Sequence, residues 1–462
     1  MAFRKKRQVF WWTVTLVGIM VGIRVLYAIA TPQVFYNSDS GGYLGLGKGM
    51  YASPSLPTII NPYRTPLYPL FFQGILMVSG YGESVPETPA FFQGASVVAA
   101  TQSILTIAAF LLLFFALLSL PLPTWMSWCL TLGISSDYHL FTWERTMLTE
   151  GLAIPWIVAL SAAMLFTLRA RKAWWYLVLE GLFILGFLLR PAFLFVPFVV
   201  VGVLLLHRRK AAMVIVGAIM LAIYLLVPLG YAKVNEHYHH YFGIQHVGDI
   251  DLLGRILEFR LPVDAATNYP FYYEAVIDSR KKGMVFPNPF RFLEYYDPYI
   301  YMEGSDGAVH LNELPGFNKT VILHTIPTYV NHIILSLPKV LTEVCDFITI
   351  PPDTSAIASF FRVLRGIAIA MQYTFFAVPI FWFVSVYQCI RKPSSILAAL
   401  VFFGALAVIQ LLFTASVVYT DVDQQFGRIM AVVRPHMLLF LGLWMYHAWT
   451  HLRTRKRMFF LA

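Results

Sequence analysis

Long apolar runs separated by short basic or longer polar segments set the pattern of this chain. Bilayer hydrocarbon about 30 Å thick needs roughly 20 apolar residues per helix, fewer where a span is short or tilted. On that measure the sequence predicts about ten spans, near residues 9–30, 91–119, 125–141, 149–168, 173–189, 191–206, 211–232, 364–390, 395–418 and 431–449. Two polar intervals stand out, 31–90 and 233–363. Within the first, Thr65 to Val78 is apolar but too short to cross, which predicts a re-entrant or interfacial segment. The second is polar from Asn235 to about Lys319, and its mixed pattern from Val321 to Ile348 predicts a helix lying on the membrane surface. The expected organisation is an N-terminal transmembrane module over 1–232 containing the first loop, a large outer region over 233–363 with interfacial helices, and C-terminal transmembrane helices over 364–462. Tyr269, Tyr272, Tyr295 and Tyr299 in the large region suit a folded lid at the interface.

Composition agrees with the pattern. With 58% hydrophobic and 13% charged residues, 462 residues offer too little polar surface for a soluble globule. The class is an all-α polytopic membrane protein. A net charge of +10 would suit a nucleic-acid binder only if the basic residues shared one patch, and they stand in short clusters between apolar runs. Those clusters are Arg4 to Arg7, Arg169 to Lys172, Arg208 to Lys210, Arg391-Lys392 and Arg453 to Arg457, and they contain no acid. They assign both termini to the cytoplasm and the polar intervals to the outer face. The run from Ala173 to Leu206 is basic at both ends, so it must cross twice and turn at Leu189-Arg190-Pro191 on the outer side. The basic N-terminus followed by Val9 to Ala30 has a signal peptide's polarity but a longer apolar run, and reads as a retained first helix.

Several features carry little chemistry. Cys129, Cys345 and Cys389 are too scattered for a disulfide framework or a zinc site. His237, His239, His240 and His246 have no carboxylate at metal-ligand spacing. Gly45, Gly47 and Gly49 lack the spacing of a nucleotide loop. Asn318-Lys-Thr320 is a formal glycosylation sequon.

Ionisable residues at the expected membrane boundary carry more. Asp39 follows the first span, where it either caps a short helix or does chemical work. Arg64, stiffened by Pro62, Pro66 and Pro69, stands at the height of a lipid phosphate, which a guanidinium grips with two bonds. Trp143 to Gly151 brings Glu144, Arg145 and Glu150 to a turn, with Asp137 nearby, and Glu150 opens the next helix. Arg428 and Arg434 stand at the mouth of the last span, with Asp421 and Asp423 as rival partners to an anionic ligand.

Taken in order, Asp39-Ser40, Tyr43, Arg64-Thr-Pro-Leu-Tyr-Pro69, Met147-Leu-Thr-Glu150, Leu189-Arg-Pro191 and Gly427-Arg428 resemble the GT-C fold glycosyltransferases. The likeness is nearest to the branch of the dolichyl-phosphate-mannose protein mannosyltransferases and aminoarabinose transferases, and is strongest over residues 1–210. It implies transfer of a sugar from a polyprenyl-phosphate donor to a glycan, lipid or protein acceptor on the outer or luminal side, with membrane lipids around it and no nucleic acid. It also implies Asp39 and Glu150 as catalytic carboxylates, and Arg64, Tyr43, Tyr63, Arg190, Arg428 and Arg434 as residues that meet the substrate or lipid phosphate. Tyr63 stands where the aminoarabinose branch has an acid, and Arg64 where it has lysine. The missing acid speaks against a divalent cation in the first loop, so no cofactor is assigned. The expected enzyme is an inverting hexosyl- or pentosyltransferase. The main alternative is a transporter or flippase for a lipid-linked or anionic solute, which should place its charges near the midplane and show two related halves. A non-catalytic subunit with the same fold is a third reading.

Overall fold

The computed structural model describes residues 2–170, 172–286, 288–301, 306–345, 355–419 and 425–459. Among the described residues every regular element is helical, and strand-type pairing is confined to a bridge between Phe35 and Thr146. The first stretch holds α1 (Ala2–Ala30), α2 (Ser38–Ala52), α3 (Leu56–Ile59), α4 (Leu67–Val78), α5 (Pro89–Leu118), α6 (Thr124–Ser135) and α7 (Tyr138–Phe141). A 3-10 turn at Thr142–Arg145 leads to α8 (Glu150–Ala170), α9 (Trp174–Leu189), α10 (Val196–Arg208) and α11 (Ala211–His239). The large polar interval contributes α12 (His246–Glu258), α13 (Pro270–Lys281), α14 (Pro289–Tyr296), α15 (Asp306–His324) and α16 (Ile326–Thr342). The chain closes with α17 (Ala356–Gln372), α18 (Ala377–Arg391), α19 (Ser395–Val417), α20 (Gln425–Ala431) and α21 (Arg434–Phe459).

In hydrocarbon a helix satisfies its backbone internally, so the apolar runs take that form. Among the described residues seven segments are long and apolar enough to cross a bilayer: 7–30, 89–118, 150–169, 191–208, 211–239, 356–391 and 395–417. Two bent pairs raise the number to nine, α15–α16 at 92° and α20–α21 at 59°. Each second helix of these pairs carries a proline in its first turn, Pro327 and Pro435, where a missing N–H costs nothing. The protein is thus an integral, multi-pass membrane protein. Two of the sequence-derived spans fall below the length of these segments. Residues 173–189 form the 16-residue α9. Residues 125–141 are divided, because Ser135-Ser136 breaks the apolar run and the Asp137 side chain accepts the His139 N–H to start α7. The surface helix expected over 321–348 is the end of α15 plus α16; 346–348 lie outside the described residues.

Helices α8 and α19 form the centre: 89% and 78% of their apolar windows are buried, against 22% for α1 at the periphery. That explains why both are hydrophobic on every face. Helices α5, α9, α10 and α21 pack around them in one continuous core. A second core, including Ile250, Leu253, Tyr272, Phe292, Leu314 and Phe317, holds α12 to α15 together. The sequon lies inside it: Asn318 is buried and donates to the Asp249 carbonyl at 2.7 Å. Gly47 of α2 serves close packing. A Cβ on Gly47 would stand 2.6 Å from the Pro69 carbonyl oxygen, so α2 lies directly on α4.

Candidate active site

The loop after α1 is tied down before it reaches Asp39. Phe35 N–H donates to the Arg145 carbonyl at 3.0 Å, and Met147 N–H to the Phe35 carbonyl at 3.0 Å, so the entry to α2 and the approach to α8 move together. Asn37, not Asp39, caps α2: its side chain accepts the Ser40 N–H, and the Ser40 hydroxyl oxygen accepts the Asn37 N–H in return. Relieved of capping, Asp39 uses both oxygens on arginines. Oδ1 accepts from Arg64 Nη2 at 2.8 Å and Oδ2 from Arg428 Nη1 at 2.8 Å.

Arg64 is held by its own neighbours. Asn61 Oδ1 accepts the N–H groups of Tyr63 and Arg64 at 3.0 and 3.2 Å. The Thr65 hydroxyl donates to the Leu189 carbonyl at 3.1 Å, which seats this turn against the end of α9. The guanidinium lies 5.2 Å above the Tyr43 ring, and Tyr43 rests edge-on against Tyr68.

Behind Asp39 sits Glu150 at the start of α8. Its Oε1 accepts from Arg428 Nε at 2.8 Å and from Arg190 Nη1 at 3.1 Å. Arg190 reaches it from the extended residue between α9 and the turn into α10. Gln102 of α5 fixes the segment before Glu150, donating to the Glu144 and Thr146 carbonyls at 2.9 and 3.1 Å. Gly151 leaves room for this amide, since a Cβ would fall 2.2 Å from Gln102 Oε1.

Among the described residues the result is a line of paired charges, Arg64, Asp39, Arg428, Glu150 and Arg190. Its accessibility is graded: the Glu150 side chain is 0% exposed, Arg64 23% and Asp39 31%. Burial raises the Asp39 carboxyl, but the guanidiniums of Arg428 and then Arg64 outweigh it and hold the group at about 2. Asp251 on α12 adds its charge to the field at Arg64.

Two candidates lie elsewhere. Arg434 is turned away from this line into a closed joint with Asp137, at 2.8 and 2.9 Å, with further bonds to Gln372 and the Ala368 carbonyl. It therefore has no free edge for a phosphate. The Tyr63 hydroxyl donates to the Tyr301 carbonyl at 3.3 Å, linking the first loop to the large region. Asp421 and Asp423 lie outside the described residues. Glu144 takes both Nε and Nη2 of Arg24 in a buried pair at 2.6 to 3.1 Å. A lone arginine inside the first span is the signal that would have found it. No local signal marks Gln102 or Asp251. His239 bonds to the Pro57 and Ile60 carbonyls, and His246 packs on Tyr241. Among the described residues no three His, Cys, Asp or Glu side chains are grouped to hold a metal ion. Both Asp39 oxygens and Glu150 Oε1 face guanidiniums, surroundings that do not suit a bound cation.

No protein-family model and no curated protein matches the sequence. In shape the chain is similar to the apo oligosaccharyltransferase of Archaeoglobus fulgidus, with a TM-score of 0.46 and 14% identity over 98% of this chain and 53% of that one. It is also similar to the same organism's oligosaccharyltransferase AglB in complex with an inhibitory peptide and a dolichol-phosphate, with a TM-score of 0.40, 12% identity, and 96% and 52% covered. A third likeness is to ArnT from Cupriavidus metallidurans bound to undecaprenyl phosphate, with a TM-score of 0.34, 13% identity, and 94% and 77% covered. The chain spans about half the length of the oligosaccharyltransferase chains.

Proposed function

We propose that the protein is a GT-C-type glycosyltransferase that moves a sugar from a polyprenyl-phosphate donor to an acceptor hydroxyl on the outer side of the membrane, with inversion. The observation that carries this reading is one carboxylate, Asp39, shared between two arginines at the accessible end of the charge line. Such a site takes a phosphate by exchange. Donor oxygens displace Asp39 from Arg64 Nη2 and Arg428 Nη1, while Arg428 keeps Nε on Glu150. Released from two cations, Asp39 regains the basicity of an ordinary carboxylate. It then takes the acceptor's hydroxyl proton as that oxygen bonds to the anomeric carbon. The bond from that carbon to the phosphate oxygen breaks, its electron pair stays on the phosphate, and Arg64 and Arg428 stabilise the departing charge.

A cavity of about 410 Å³ between α10 and α19, lined by Phe195, Val199, Val203, Leu206, Val401 and Ala405, supports a lipid-linked donor. Phe195, at its rim, follows Arg190 by five residues along the chain, and the rest of its lining is apolar. The ordered sequence motifs from Asp39 to Arg428 support the same class. The test is release of polyprenyl phosphate from polyprenyl-phosphate sugars by the purified protein, with Asp39→Asn and Arg64→Ala beside it. Release by the native chain and its loss in both variants is expected. Turnover untouched by Asp39→Asn would remove Asp39 from the chemistry.

A further inference from the structure

We propose that Glu343, outside the charge line, is a positioning residue that sets where Arg428 stands; this rests on the glycosyltransferase reading above. Glu343 directly follows α16, and its Oε1 accepts the backbone N–H groups of Phe426 at 3.0 Å and Gly427 at 3.3 Å. Arg428 is the next residue. Helix α20 has seven residues, too few to hold its own direction by helix formation alone. Its orientation comes from what it touches. A Cβ on Gly427 would lie 2.6 Å from the Cys345 nitrogen and 2.9 Å from the Val344 carbonyl carbon, so the backbone after Glu343 runs hard against α20. The Phe426 ring is met by Arg255 of α12 at 5.3 Å and by Lys339 of α16 at 5.8 Å. Phe426 and Gly427 are thereby gripped from the α12–α16 region, and Arg428 projects from that grip to Asp39 and Glu150.

The consequence is mechanical. Once a donor phosphate replaces Asp39 on Arg428 Nη1, that atom's place depends on Glu150 at one end of the side chain and on Glu343 at the backbone. Helix α16 continues from α15 through a 92° bend, so a shift of the large region over an acceptor reaches Arg428 through Glu343.

The experiment compares Glu343→Ala and Glu343→Gln, each alone and with Arg428→Ala, in polyprenyl phosphate release and in binding of polyprenyl phosphate itself. Misplacement by about 1 Å costs on the order of 10²-fold in such sites. Glu343→Ala is expected to lower kcat/KM by roughly 10- to 100-fold. Glutamine, whose Oε1 accepts the same two N–H groups, should restore activity to within about threefold. In the Arg428→Ala background, Glu343→Ala should cost nothing further, because residues acting through one group are not additive. Equal losses in both backgrounds, or glutamine as impaired as alanine, would overturn the proposal while leaving the enzyme reading intact. A native chain that neither binds polyprenyl phosphate nor releases it would overturn both.

Discussion

Arg428 and Arg434 stand six residues apart on one bent segment and end in opposite surroundings. Arg434 meets one carboxylate head-on with two parallel bonds, adds Gln372 and a backbone carbonyl, and is covered by the Phe375 ring. With side-chain exposures of 4% and 3%, that pair is charge-balanced and sealed. Arg428 instead divides its donors between two carboxylates, each also claimed by another arginine, and its line opens to solvent at Asp39. A buried arginine with a dedicated partner is a joint between helices. One that shares its partners with other arginines, in a line open to solvent, can exchange a carboxylate for another anion.

Two substitutions separate joint from site most sharply. Asp39→Asn should lower turnover by about 10²- to 10⁴-fold, the range for loss of a general base. It should also bind polyprenyl phosphate several-fold more tightly, since the carboxylate that competes with phosphate for Arg64 and Arg428 is gone; calorimetry showing weaker binding would contradict the exchange. Asp137→Ala should act on stability instead. It strands Arg434 without a carboxylate at a cost of about 3–5 kcal/mol, visible as a lower unfolding temperature, while the folded fraction keeps its phosphate affinity. Arg64→Lys should have a smaller effect, raising KM for the donor by roughly tenfold with kcat less changed, because an ammonium keeps the charge and loses the fork.

The pH response is the mildest of these predictions. Asp39 sits at about 2 when folded, below the ordinary aspartate value of about 3.9. Its ionised form therefore contributes stability that is fully present above about pH 4 and is lost as pH falls through about 2. Between pH 5 and 8 this group gives no slope. The unfolding-temperature difference between the native chain and Asp39→Asn should shrink between pH 4 and 2; a difference that shrinks near neutrality would assign Asp39 a different partner set.

The long apolar runs were legible because hydrocarbon thickness leaves few alternatives, and the break at Arg190 because two basic ends force a return. Helix α6 was overextended, since hydropathy alone does not show Asp137 capping a new turn. Asp39 could be weighed from its neighbours, but its release from capping depends on Asn37 and Ser40 acting together. The fate of Arg434 was hidden because its partner lies 297 residues away, and Glu343 for the same reason, at 83 residues from Phe426. Spacing along the chain says nothing about such pairs.

The shared hold on Glu150 also bears on how the protein is made. Arg428 is synthesised 278 residues after Glu150, a delay of roughly 15 to 55 s at ordinary translation speeds. Arg190 follows by only 40 residues, at the junction between the next two helices, α9 and α10. A nascent chain can therefore neutralise its buried acid long before the last helices exist, with Arg190 serving as a placeholder for the arginine that arrives at the end. Ribosome-bound chains stopped shortly after residue 232 should insert normally with Arg190 present and retain α8 poorly in Arg190→Ala; equal insertion of the two would mean Glu150 waits for Arg428 unaided.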